Sequence, residues 1–190
     1  TLDSIIWMAE GRKYEEVVLM TASLARLLRQ SISNEDEVVP LAREVEYAKG
    51  YLTIQKMRYK DKLEFEIDVE PSILNIPLIK LVLQPIIENA IYHGLKYKES
   101  KGLLQVKGFM KDGNAVLQVI DNGVGMDEET LSHIYDKHKV NYHSNGVGVY
   151  NVQKRLKLYY GENYGITYES EKGVGTTATI IIPGIQEESI

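Results

Sequence analysis

The chain has 190 residues, 44% of them hydrophobic, enough to bury a real core and compatible with one compact domain plus a smaller accessory segment. Its formal net charge of −5 offers no broad basic surface for a phosphate backbone, so nucleic acid is not expected as a partner, although local basic residues could meet a small anion. It contains no cysteine, which excludes a disulfide scaffold, thiolate metal sites and a cysteine nucleophile and fits a reducing compartment; no apolar run approaches the roughly 20 residues that span a bilayer, and there is no signal-peptide pattern.

In chain order, the first 60 residues read differently from the rest, with two helical stretches. In EEVVLMTASLARLLRQSI the apolar residues Val17, Met20, Leu24, Leu27 and Leu28 recur at helical spacing. A second helix, PLAREVEYAKGYLTIQKMRY, follows the polar loop SNEDEVV and has Pro40 at a first-turn position. The pair predicts a helical hairpin whose apolar stripe is covered by the downstream domain or by a second copy of the chain. From Leu63 the pattern is mixed: LEFEIDV alternates as a strand, and PLIKLVLQPIIENAIYHG reads as a helix in spite of Pro85. GLLQVKGFM and NAVLQVID are strands around the turn KDGN, and GITYES with TTATIIIP forms a closing pair. Blocks of paired strands with helices inserted between them predict an α+β fold, a mixed and mainly antiparallel sheet covered on one face by helices. The boundaries expected are a helical hairpin over 1–62, a sheet domain over 63–185 and a tail over 186–190.

Three glycine-bearing stretches stand out. DNGVGM, from Asp121, follows a strand that delivers its carboxylate to the strand's end; NGVGVYNVQKRLKLYY, from Asn145, opens a helix; KGVGTTATI, from Lys172, opens the last strand. Each pair alone is turn chemistry. Together they suggest an anion site, with Gly146 and Gly148 preceding a helix whose positive end can face phosphate oxygens. No Gly-Lys-Ser/Thr follows, so this is not a P-loop, and the polar stretch before it is unlike a dinucleotide fingerprint.

LQPIIENAIYHG, DNGVGM, GVGVYNVQKRL and GVGTT resemble, in order and spacing, the N, G1, G2 and G3 boxes of the GHKL (Bergerat) ATP-binding fold shared by gyrase, MutL and histidine kinases. Within it the wording of the N box and of GVYNVQKRL is similar to sensor histidine kinases of the LytS/YesM type, and the upstream EVEYAKGYLTIQKMRYKDKLEFEIDV resembles the segment joining their phosphoacceptor helices to the kinase domain. The resemblance implies a GHKL sandwich that binds ATP and Mg²⁺. It implies transfer of the γ-phosphoryl group to a histidine and onward to an aspartate of a response regulator, by a homodimer joined through its N-terminal helices and belonging to a membrane-anchored bacterial sensor whose kinase part is cytoplasmic. Two rivals stand beside it: another GHKL ATPase or serine kinase, and a non-catalytic GHKL interaction module.

The resemblance also implies site residues. Asp121 would accept from the adenine amino group, with Gly123 and Gly125 letting the loop pass close to the purine, and Thr176 would support Asp121 or be an ordinary strand residue. Asn89 would hold Mg²⁺, a hard cation suited to an amide oxygen. Glu88 would orient a Mg²⁺-bound water or a proton path, or be a solvated helix carboxylate. His93 would lie near the phosphates, or be a surface residue at a helix end. Tyr92 departs from the family's usual lysine. Pro85 occupies the place of the general-base glutamate of the hydrolytic ATPases and serine kinases, and a proline takes no proton, which favours a histidine kinase.

Asp127, Glu128 and Glu129 read as an N-cap and first turn. Lys137, His138, Lys139 and His143 fall in the stretch matching the family's ATP lid, where a mobile polar loop would have the same composition, and Tyr135 is a candidate lid aromatic. The chain starts at Thr1 with TLDSIIWMAE, a stretch that in the family follows the Asn-Pro-His-Phe run carrying the phosphorylated histidine. The expectation is a piece of a longer protein that binds Mg-ATP but does not phosphorylate itself.

Overall fold

A computed structural model describes residues 2–32, 37–134 and 146–184. It opens with helix α1 (Leu2–Glu10), which the pattern reading does not anticipate, followed by α2 (Tyr14–Ile32). The short strand β1 (Val38–Pro40) then leads directly into α3 (Leu41–Tyr59). Pro40 is the residue before the helix rather than within its first turn. The remainder is β2 (Leu63–Val69), β3 (Pro77–Ile79), α4 (Leu83–Asn89), β4 (Gly102–Lys111), β5 (Asn114–Asp121), α5 (Glu128–Ser132), α6 (Gly146–Tyr160), β6 (Gly165–Glu171) and β7 (Gly175–Pro183).

Five strands form one sheet in the order β2-β4-β5-β7-β6, with β2 and β4 parallel and every other pair antiparallel. The expected mixed, mainly antiparallel sheet is present. Helices α3, α4 and α6 supply one side of its core: Leu52, Ile86, Ile87, Ile91, Val152 and Leu156 meet Leu104, Val106, Leu117, Val119 and Ile180 from the strands. Each such side chain contributes on the order of 1.5–3 kcal/mol by leaving water. β5 lies centrally, between β4 and β7, and is buried along most of its length.

One expectation needs correction. The helix expected from Pro77 begins only at Leu83, because Pro77–Ile79 pairs antiparallel with β1 instead. The Tyr160 hydroxyl fixes this strand from α6, donating to the Pro77 carbonyl at 3.0 Å and accepting from the Ile79 amide at 3.2 Å. With the helix starting at Leu83, Pro85 falls at its third residue, where an amide would have no partner within the helix, so a proline is tolerated there. Helix α3 packs along α2, as a hairpin requires, and its Leu41, Ala48, Tyr51 and Leu52 also belong to the buried core of the sheet, covered by α4 and the strands.

Candidate functional site

β5 ends at Asp121, and the sheet closes over it: the residue is 6% exposed, paired with Leu104 of β4 and Thr176 of β7. The Gly123 amide donates to its Oδ1 at 2.8 Å. Burial pushes the carboxyl up to about 6, against the Gly123 and Thr176 amides and the Lys98 ammonium, which act in the opposite direction. Lys98 itself donates to the Asn122 carbonyl.

The glycines of DNGVGM meet protein. A β-carbon on Gly123 would stand 2.4 Å from the Gly94 carbonyl carbon, and the Val124 amide donates to the Gly94 carbonyl at 3.1 Å. Gly125 has φ 63°, and its β-carbon would fall 1.9 Å from the Glu171 carbonyl oxygen. The loop is thereby pressed between the end of α4's extension and the β6–β7 hairpin, with Asp121 beneath it.

α4 runs on as six residues of π-helix, Ala90–Leu95, whose wider turn shows in the bond from the Lys96 amide to the Ile91 carbonyl. Asn89 is the last residue of α4, and His93 lies on the π-helical stretch. The Asn89 Oδ1 is buried and has no hydrogen-bond partner, an acceptor in want of a cation or donor. His93 stands at the rim, where partial desolvation and then the Lys96 charge hold its imidazole below the ordinary range, so it is neutral at pH 7.

These residues share one cleft of about 830 Å³, bordered by Asn89, His93, Gly94, Asp121, Gly125 and Thr176, with apolar walls from Ile86, Ala90, Val119, Met126, Ile134 and Ala178. Glu129, Thr130, His133 and Tyr168 also border it, and apolar walls with polar groups around them suit a flat heteroaromatic ligand that carries polar substituents. Asn89 fits a hard cation: its orphaned oxygen is of the right kind, and among the described residues no group of three or more His, Asp or Glu gathers to hold a metal without help.

Not every candidate enters the cleft. Glu88 accepts from Gln84 at 2.9 Å and is not among the lining residues. Its charge and Tyr92 reach Tyr51 of α3, whose phenol is raised chiefly by burial. Tyr92 thus belongs to the seam between α3 and α4. Gly123 is covered by Gly94, as above. Gly146 begins α6 and Gly148 lies inside its first turn rather than ahead of it; the nearest atom to a β-carbon on Gly148 would be Pro85 Cβ, at 3.4 Å. Tyr135, Lys137, His138, Lys139 and His143 lie outside the described residues.

Ser170 is a structural tie beside the cleft that the pattern reading missed. Its Oγ accepts from the Met126 amide at 2.8 Å, donates to the Gly175 carbonyl at 3.0 Å and lies 2.8 Å from Thr176 Oγ1, tying the loop after Asp121 to the start of β7. A serine on an alternating strand carries no signal for this; the bonds exist only because the hairpin folds back on the loop. Asp127, by contrast, caps α5 as expected, accepting from the Thr130 amide at 3.0 Å. The Thr130 bonds and Lys172 lower its carboxyl to about 2.

This sheet and the helices packed on it have known counterparts. Residues 75–186 match the family described as histidine kinase-, DNA gyrase B- and HSP90-like ATPases, and residues 1–63 match the histidine kinase family. The chain belongs to the histidine kinase-, DNA gyrase B- and HSP90-like ATPase family, and the helices before that domain match the histidine kinase family. Among its relatives, the sensor histidine kinase YesM of Bacillus subtilis is 32% identical over 96% of this chain, and the sensor protein LytS of Oceanobacillus iheyensis is 34% identical over 74% of it. The chain spans 30% and 24% of the length of those two proteins. Among solved structures, the catalytic domain of histidine kinase ThkA superposes with a TM-score of 0.60 at 16% identity, over 78% of this chain and 99% of that one. The histidine kinase domain of the Erythrobacter litoralis EL346 blue-light activated histidine kinase gives 0.57 at 15%, over 88% of this chain and 74% of that one. These likenesses show the fold alone.

Proposed function

We propose that the cleft binds Mg-ATP and that the protein to which this chain belongs transfers the γ-phosphoryl group to a histidine, from which it passes to an aspartate of a response regulator. The observation that carries the reading is the pairing, in one apolar cleft, of a buried carboxylate at Asp121 with an orphaned amide oxygen at Asn89. Asp121 accepts from the exocyclic amine of adenine; guanine presents a carbonyl at that point and is repelled. Thr176, through its amide and its contact with Ser170, holds Asp121 in place. Asn89 is the residue that would hold Mg²⁺, which when bound supplies positive charge against the phosphate oxygens. His93, neutral at the rim, donates a hydrogen bond to phosphate, and the first turn of α6 at Gly146 and Gly148 offers backbone amides to the same end. Catalysis is then mainly positioning.

Glu88 faces the α3 seam, so its part is to shape that side of α4 rather than to touch substrate. Pro85 leaves no carboxylate where a hydrolytic ATPase keeps its base, which favours a kinase over a steady ATPase. The full-length protein is read as a membrane-anchored homodimer joined through its N-terminal helices, with this region cytoplasmic; among the described residues no helix is long and apolar enough to cross a membrane. The test is calorimetric titration of ATP and GTP with and without Mg²⁺. Binding of ATP that Mg²⁺ strengthens, with GTP at least about tenfold weaker, is the expected result; the loss of one partner from a buried hydrogen bond is worth that factor. Equal affinity for the two nucleotides would remove Asp121 from base recognition.

A further inference from the structure

The helix that carries Asn89 has no cap of its own. α4 begins at Leu83, the preceding Val82 supplies no side-chain bond, and Pro85 has no amide to offer. Its leading amides are instead taken up by a residue of α3. Glu44, 2% exposed, accepts from the Leu81 amide with Oε1 at 2.9 Å, and from the Val82 and Leu83 amides with Oε2 at 2.9 and 3.1 Å. Leu81 adopts φ 60°, a left-handed conformation rare for leucine, and the three amides converge on the carboxylate across this bend. A buried carboxylate that receives three N–H groups at a positive helix end is stabilised by both the bonds and the dipole.

The segments that lead into α3 and α4 are tied at further points. The first amides of α3, at Leu41 and Ala42, donate to the Ile76 and Leu74 carbonyls at 2.9 and 2.8 Å, and the Lys80 amide donates to the Glu37 carbonyl at 2.9 Å. α3 is therefore bonded both to the start of α4, through Glu44, and to the segment that leads into β3. From Leu83 to Asn89 the helix advances roughly 9 Å, at about 1.5 Å per residue, with no break in between. A shift or rotation at its capped end is carried directly to the Asn89 amide oxygen, because a short helix moves as a rigid piece.

We propose that Glu44 is a positioning residue for Mg-nucleotide: by holding the start of α4 it aims the Asn89 oxygen into the cleft, and through it the placement of α3 sets the cation end of the site. This rests on the reading that Asn89 meets Mg²⁺. A role confined to fold stability would weaken nucleotide binding alike with and without the cation, and it would leave no special mark on α4 in the free protein.

The experiment is calorimetric titration of the 190-residue chain with ADP, with and without Mg²⁺, for wild type and Glu44→Gln, which keeps the size and loses one acceptor oxygen. The gain in affinity that Mg²⁺ brings should fall about tenfold or more in the variant, the range typical of outer partners of metal ligands, while Mg²⁺-free affinity stays within about twofold. Amide hydrogen exchange without nucleotide should quicken from Val82 to Asn89 and stay slow in β5. If Glu44→Gln fails to fold, Glu44→Asp keeps the charge with a shorter reach and is read in the same two ways. Equal loss with and without Mg²⁺, or unchanged exchange in α4, overturns the proposal while leaving the nucleotide reading standing. A wild-type chain that gains nothing from Mg²⁺ overturns the role of Asn89 and the proposal together.

Discussion

In the adenine contact proposed for Asp121, burial and ionisation pull the acidity of the carboxyl in opposite directions. Its ordinary value of about 3.9 rises to about 6 in the folded chain. Between those values the folded state holds a proton that the unfolded state has released, so this group's contribution to stability falls as pH rises from about 4 to about 6 and is level above. Adenine recognition has the opposite slope: nucleotide affinity should weaken as pH drops below about 6, and Asp121→Asn should flatten that dependence relative to wild type, which separates it from titration of the nucleotide's own phosphates. The same substitution should cost on the order of 1.5–3 kcal/mol of ATP binding through loss of a charge-assisted bond, measured by calorimetry with the melting temperature little changed. For Asn89→Ala the loss should appear with Mg²⁺ present and largely vanish without it; an equal loss in both would point to damaged packing.

At the scale of elements, the site depends on segments that hold one another from outside. The loop after β5 is stitched to the β6–β7 hairpin by Ser170, so Ser170→Ala should leave the Met126 amide without its partner and destabilise the chain by about 1–3 kcal/mol in a denaturant melt. Nucleotide affinity should fall with it, because Thr176 loses its hydroxyl partner at the same time. An unchanged melt and unchanged affinity would show that water replaces the serine at no cost. The stretch from Pro77 to Val82 makes the complementary point. Its composition suits a helix or a strand, and pairing with three residues of β1 decides for the strand.

For the whole molecule, the described surface of α1 and α2 leaves Leu2, Ile6, Tyr14 and Val18 exposed by 58–68%, a run of apolar groups suited to a second copy. Val18→Glu should therefore shift the chain toward monomer in sedimentation equilibrium without changing ATP affinity; a wild-type chain that sediments as a monomer at all concentrations would refute the dimer. None of the four histidines lies on α1, α2 or α3. Incubation with γ-labelled ATP should accordingly leave no acid-labile label on this chain, and label on His93 or any other of the four would show that the chain carries an acceptor of its own.

Much of this was legible in residue order. Alternation marked the strands of the sheet, helical spacing marked α2, α3 and α6, and the strand-turn pattern of NAVLQVIDNGVG placed Asp121 at a strand end, because these signals are local and period-bound. The spacing of four motifs was enough to indicate the family. Tertiary structure alone decided the rest. Glycines 123 and 125 are required by carbonyls at Gly94 and Glu171, far away in sequence, and Ser170 matters only where the hairpin meets the loop. α3 joins the sheet's core, and Glu44 caps a helix 37 to 39 positions downstream. Such contacts depend on which surfaces are brought together after the elements form, and no periodicity along the chain encodes them.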